Sequence, residues 1–198
     1  MSDRHTFRAT WHTYNGGIFF VTICAADRQH IFGEISQGNM RYTPLGNIVN
    51  DCLSAIPEHH ADVALLNHVV MPNHIHMVLS LSTDQPADTQ HLAPGATPTG
   101  CLKPPRHFAP VSDKHFNSRL AIIVRSFKAA CTIEINRQRQ TTNADDSMRA
   151  QSIAPLQVWQ RNYHEHIIRN RRDYEKIMNY VSSNIEKWGQ DCFNSSAP

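Results

Sequence analysis

The apolar positions of this chain fall into short β-branched or aromatic runs and three stripes of helical period. Gly16-Gly17 opens a first run at about 18–25, which predicts a strand. Runs at about 31–36 and 40–42 flank Gln37-Gly38-Asn39 and predict a hairpin. Thr43-Pro44 is a helix start, after which Leu45, Ile48, Val49, Cys52, Leu53 and Ile56 recur at helical spacing until Pro57 stops them. Two more strands are predicted at about 63–71 and 74–81. A second helix follows from 118 to about 138, with Leu120, Ile123, Val124, Phe127 and Cys131 on its core side and Arg125 and Lys128 off it. A last strand at about 158–168 feeds a third helix. The sum is a single α+β domain of ferredoxin-like plan, an antiparallel β-sheet with helices packed on one face. Stretches at about 82–117 and 140–155 lack periodicity and read as flexible loops within that domain.

The strand at 74–81 carries the most informative pattern. In Val69-Val70-Met71-Pro72-Asn73-His74-Ile75-His76-Met77-Val78-Leu79, two histidines stand at i and i+2 in an apolar run. Alternation puts both imidazoles on one sheet face, with Ile75 on the other. Two neutral imidazoles on a rigid strand supply two thirds of a metal site. The bland reading of the same pair is two satisfied core or surface histidines.

The remaining groups are expected from the C-terminal helix. Asn170 caps its first turn, Asp173 complements the positive end of its dipole, and Gly189 is a natural stop after Trp188. Tyr174, Ile177, Met178, Val181, Ile185 and Trp188 form its apolar stripe. Tyr180 and Asn184 fall together on the flank, one turn apart. A helix laying that stripe on the sheet leaves both at the edge of the contact, within reach of a metal held by His74 and His76. A tyrosine beside a divalent metal points to attack on a phosphodiester, because the phenol is a poor nucleophile unless activated and a metal orients and neutralises the phosphate. An exposed helix tyrosine without such a role is the alternative.

Several motifs in order resemble one family. Met71-Pro72-Asn73-His74-Ile75-His76 resembles the histidine-hydrophobic-histidine motif of single-tyrosine HUH transposases. Trp159-Gln160-Arg161-Asn162-Tyr163-His164-Glu165-His166-Ile167-Ile168-Arg169-Asn170 is similar to the signature of their REP-associated branch, as are Gly17-Ile18-Phe19-Phe20-Val21-Thr22-Ile23-Cys24, Ile31-Phe32-Gly33-Glu34-Ile35 and Ser126-Phe127-Lys128. The resemblance implies the same ferredoxin-like fold and a metal-dependent single-stranded DNA endonuclease and strand-transferase, cutting near DNA hairpins through a 5′-phosphotyrosine intermediate. It implies Tyr180 as nucleophile, His74, His76 and Asn184 as metal ligands, and Mg2+ or Mn2+ as the metal. Single-stranded or hairpin DNA is the implied partner, with Tyr180 acting in cis or exchanged within a homodimer. Relatives often carry proline after the counterpart of Asn184; Ile185 stands there in this chain, so the helix is expected to run on to Gly189.

Composition changes this picture little. The chain has 198 residues, 40% of them hydrophobic, enough for one core. It shows no apolar run long enough to span a membrane and no secretory leader, and its five cysteines lack metal spacing, so a cytoplasmic, nucleoid-associated protein with reduced thiols is expected. A net charge of +2 says little about nucleic acid. Arg161, Arg169, Arg171, Arg172, Lys176 and Lys187 nevertheless cluster in sequence near Tyr180 and are candidate phosphate contacts; a solvated helix face is the commoner meaning of such a run. Trp11, Tyr14 and Tyr163 are candidate base stackers, and Arg4-His5-Thr6-Phe7-Arg8 a candidate DNA-contacting arm.

Two rival readings stand beside this one. A domesticated hairpin-binding protein would keep the fold without cutting. A zinc hydrolase would add the second pair in His164-Glu165-His166 to His74 and His76, with no need for Tyr180.

Overall fold

A computed structural model of the chain describes residues 15–82, 118–144 and 154–194. The N-terminal arm with Trp11 and Tyr14, and most of the two predicted loops, lie outside the described residues. The elements in chain order are β1 (Gly17–Cys24), β2 (Gly33–Ser36), β3 (Asn39–Tyr42), α1 (Pro44–Ser54), α2 (Ile56–His59), β4 (Val63–Val70), β5 (His74–Leu81), α3 (Arg119–Ala144), β6 (His164–Ile168) and α4 (Arg171–Ser182). No helix among the described residues is long and apolar enough to cross a membrane.

The main sheet has four strands in the order β4-β5-β1-β6, every pair antiparallel. With α1 and α3 as the crossovers, this is the expected ferredoxin-like plan. The β2–β3 hairpin stands apart as a two-stranded ribbon. Its turn is Gln37-Gly38, both with positive φ (52° and 73°), which matches the twist of a two-residue hairpin.

Local chemistry accounts for most boundaries. Thr43 caps α1 by accepting from the Gly46 N–H, and Pro44 occupies the first turn. Gly46 lies so close to the Phe32 carbonyl that a Cβ there would collide with it, which holds α1 tight against the β2 entrance. Pro57 does not simply end α1: the helix stops at Ser54, and Pro57 sits in the first turn of the short α2. Residues 141–144, expected in a loop, continue α3. The last strand is shorter than its pattern suggested. Only His164–Ile168 pairs fully with β1, while Trp159 makes a single bridge to Ala25.

The two faces of the sheet are covered differently. Phe19, Val21 and Ile23 of β1 and Ile75, Met77 and Leu79 of β5 point to the larger core, where they meet Val49, Leu53, Leu120, Ile123, Phe127 and Ile135 of α1 and α3. On the opposite face Val69 and Val78 pack on Ile177 and Val181 of α4, with Phe20, Tyr174 and Met178 alongside. A one-sided helical layer therefore describes α1 and α3, whereas α4 covers the other side. That second face is the one that carries His74 and His76.

α4 also ends earlier than expected. Its C-cap is Ser183, and residues 183–187 form turns before a 3-10 turn at Trp188–Gln190. The run Ser182-Ser183-Asn184 explains the stop, since short polar side chains compete for backbone hydrogen bonds and favour helix ends. Ile185 and Trp188 still reach the small core, from the turn rather than from the helix.

Candidate metal centre

β5 begins at His74, directly after Met71-Pro72-Asn73, so the first histidine sits at the strand's mouth and the second one pleat further in. Both side chains are buried, His74 completely and His76 to 1% exposure. Their Nε2 atoms face each other at 3.0 Å. The other ring nitrogens are engaged: His74 Nδ1 lies 2.8 Å from Asn73 Oδ1, and His76 Nδ1 lies 2.8 Å from the hydroxyl of Thr22, its cross-strand neighbour on β1. Burial opposes the charged imidazolium and pushes His74 down to about 2 and His76 to about 3. For His74 the neighbouring His76, Arg28 and His30 add to the effect. Both rings are neutral at physiological pH, the form that ligates metal.

A carboxylate completes the cluster. Asp191, buried just past the 3-10 turn, brings Oδ2 to 3.9 Å from His74 Nε2. One ligand atom from each of His74, His76 and Asp191 lies within 4.8 Å of the others. The segment carrying Asp191 is fastened at several points. Asp191 Oδ1 accepts from the Phe193 N–H (2.8 Å), the Phe193 ring packs on His74 at 4.6 Å, and the Arg28 guanidinium lies 5.2 Å from the centre of that ring. No sequence pattern singles out Asp191. It belongs to no periodic element, and the only signal for it is Gly189, after which the chain can turn back.

α4 delivers Tyr180 to the same place in its own chain. The Tyr180 hydroxyl lies 3.3 Å from His76 Nε2, and its ring meets His76 and Phe20 edge-on. Tyr180 is 39% exposed, so it stands at the surface rather than in the core. Burial raises its pKa, the Asp191 charge adds to that, and a hydrogen bond from Asn184 works against both. Asn184, expected at the edge of the helix contact, is 2% exposed because the turn after α4 folds it inward. Its Oδ1 is buried without a hydrogen-bond partner.

This donor set fits a divalent cation. Two neutral imidazoles and a carboxylate converge, and the orphaned amide oxygen of Asn184, on the residue bonded to Tyr180, is the kind of buried polar atom that a metal or its water satisfies.

No protein-family model matches the chain. An uncharacterised protein of Haemophilus influenzae is 30% identical over 189 residues, covering 95% of this chain and 91% of that protein. The chain belongs to that protein's family. Two solved structures also align with this family member. One is a REP-associated tyrosine transposase bound to a REP hairpin, with 18% identity, 96% of this chain and 76% of that chain covered, and a TM-score of 0.46. The other is a candidate transposase from Deinococcus radiodurans, with 11% identity, 92% and 97% covered, and a TM-score of 0.44.

The second histidine pair lies on the same sheet face but outside the cluster. In register, Thr22 stands between His76 and His164, and Phe20 faces His166. Both β6 histidines are exposed, and His166 Nε2 is 2.8 Å from Asp173 Oδ2 at the start of α4. The four-histidine arrangement is thus not assembled: Thr22 fills the row where a ligand would be needed. The six candidate cations, Arg161, Arg169, Arg171, Arg172, Lys176 and Lys187, are all exposed, with Arg171 paired to Glu175 (2.7 Å). Tyr163 is partly buried against the larger core, which accounts for it as packing.

Proposed function

We propose that the protein is a metal-dependent single-stranded DNA endonuclease and strand-transferase, a transposase that cuts near DNA hairpins and holds the cut strand as a 5′-phosphotyrosine on Tyr180. The observation that carries this reading is the Tyr180 hydroxyl 3.3 Å from His76 Nε2, at the rim of the His74, His76 and Asp191 cluster. A partly exposed phenol beside a convergent set of metal donors is open to attack a phosphodiester arriving from solvent. The motif resemblance of the sequence supports the same assignment.

His74, His76 and Asp191, with Asn184 at hand, would hold Mg2+ or Mn2+. Such an ion, when bound, supplies charge neutralisation and orientation of the scissile phosphate. The chain's own residues do the rest. Tyr180 Oη attacks phosphorus, forming the Oη–P bond as the P–O3′ bond breaks; the phenol loses its proton and the departing 3′ oxygen takes one up. The Asn184 amide donates to the phenol oxygen and favours its anionic form against the burial that opposes it. The bond energy is conserved in the phosphotyrosine, so a 3′-hydroxyl can reverse the step and rejoin strands. Of the exposed cations, Arg161, Arg169, Arg172, Lys176 and Lys187 would bind the DNA backbone, an interaction that weakens steeply with salt.

The test is incubation with labelled hairpin-bearing single-stranded DNA and Mn2+, followed by denaturing electrophoresis. A covalent adduct that needs metal and disappears in Tyr180→Phe is expected. Hairpin binding without an adduct across a broad panel would overturn the cutting step and leave a DNA reader.

A further inference from the structure

We infer that Asn73 is a positioning residue that locks His74 in the tautomer a metal requires and ties the Asp191 segment to the same side chain; the inference rests on the metal-site reading above. Asn73 is completely buried. Its Nδ2 donates to two backbone carbonyls, Phe193 O at 2.7 Å and Arg28 O at 3.3 Å. Carbonyl oxygens only accept, so the amide has one orientation here: NH2 towards the carbonyls and Oδ1 towards His74. Oδ1 lies 2.8 Å from His74 Nδ1. An amide oxygen also only accepts, so Nδ1 must carry the hydrogen. A neutral imidazole has a single N–H, and His74 Nε2 is therefore left as a bare lone pair, aimed at His76 Nε2 and Asp191.

The same amide reaches the other ligand through the chain. Phe193 follows Asp191 by two residues, gives its N–H to the Asp191 carboxylate, and stacks its ring on His74. Asn73 thus grips the backbone oxygen of the residue that orients Asp191 while its own oxygen orients His74. No other standard side chain of this size has an acceptor and a two-hydrogen donor at this fork. Aspartate would keep the acceptor and lose both donors, which allows the two roles to be separated.

The experiment uses the full chain, metal-free and with 15N-labelled histidine, read by long-range 1H–15N spectra. His74 is expected as the Nδ1–H tautomer. Asn73→Ala should release it towards Nε2–H and weaken Mn2+ binding by about tenfold to a hundredfold, the usual effect of losing an outer partner of a ligand. Asn73→Asp should keep the Nδ1–H tautomer while amide exchange at 191–194 speeds up. His74 protonated at Nε2 in the unaltered protein would overturn the inference, as would an unchanged tautomer in Asn73→Ala. If Asn73→Ala does not fold, the unaltered protein and Asn73→Asp decide the matter. Failure of the unaltered chain to bind Mn2+ would count against the proposed function, while the tautomer would still be decided in metal-free protein.

Discussion

The Asp191 carboxylate stands 3.9 Å from His74 Nε2, although His74 opens β5 in the middle of the chain and Asp191 follows the last 3-10 turn. That spacing is too long for a good hydrogen bond and suits two groups waiting on a shared cation. Asp191→Asn removes the charge and keeps the shape. Mn2+ affinity should fall at least about tenfold, about 1.4 kcal/mol, in calorimetric titration. Because the Asp191 charge raises the Tyr180 pKa, the same variant should let the phenol titrate at lower pH. Unchanged Mn2+ binding would make Asp191 a mere anchor for Phe193.

Stability of the metal-free protein should fall as the solution is acidified below about pH 6.5. In the unfolded chain both histidines titrate near their ordinary value of about 6.5. Buried in the folded protein, His74 and His76 are pushed down to about 2 and 3. Between those limits the unfolded state binds protons that the native state refuses, so their contribution is complete above pH 6.5 and drains away towards pH 3. By pH 5.5 the loss should be about 1 kcal/mol for each histidine. Urea unfolding at pH 7.5 and 5.5 measures it, and a His74→Asn, His76→Asn double variant should show a flatter response. Equal midpoints at the two pH values would contradict the burial argument.

The β6 histidines provide a clean separation of two chemistries. His164 and His166 are exposed and His166 is engaged with Asp173, so neither is needed to hold a metal at the cluster. A His164→Ala, His166→Ala variant should keep Mn2+ affinity within about twofold, since distant surface substitutions rarely shift a site by more than about 0.5 kcal/mol. A large loss of metal in that variant would favour the four-histidine hydrolase and remove the case for Tyr180.

Period explains which parts of this arrangement could be read in advance. The alternation around Ile75 placed His74 and His76 on one face, and the helical stripe from Tyr174 to Val181 left Tyr180 at its flank, because strand and helix geometry are local. A stripe shows which side of a helix is buried. It does not show which face of a sheet will receive it, and α4 took the face opposite α1 and α3. α4 ends before Gly189 because the polar triplet Ser182-Ser183-Asn184 comes first and the apolar Ile185 and Trp188 pack equally well from a turn, although Gly189 is the stronger stop in the sequence alone. Asp191 and the two-sided grip of Asn73 depend on the returning chain, a long-range contact with no local signature.

Asn184 should separate stability from function. Its Oδ1 is buried with no hydrogen-bond partner, while its amide donates to an exposed phenol that water can serve instead. An unsatisfied buried acceptor costs about 1–3 kcal/mol, so an apolar side chain of similar size at this position should relieve that cost in the metal-free protein. Asn184→Leu is therefore expected to raise the metal-free unfolding free energy by about 1 kcal/mol. The same change removes an oxygen available to a cation and the hydrogen bond that favours the Tyr180 anion, so Mn2+ affinity and adduct yield should both drop. Thermal unfolding with and without Mn2+ reads both effects in one experiment: the variant should melt higher than the unaltered chain without metal and gain less when metal is added. A variant that loses stability without metal would show that the amide oxygen is satisfied in solution and that Asn184 is simply a packed core residue.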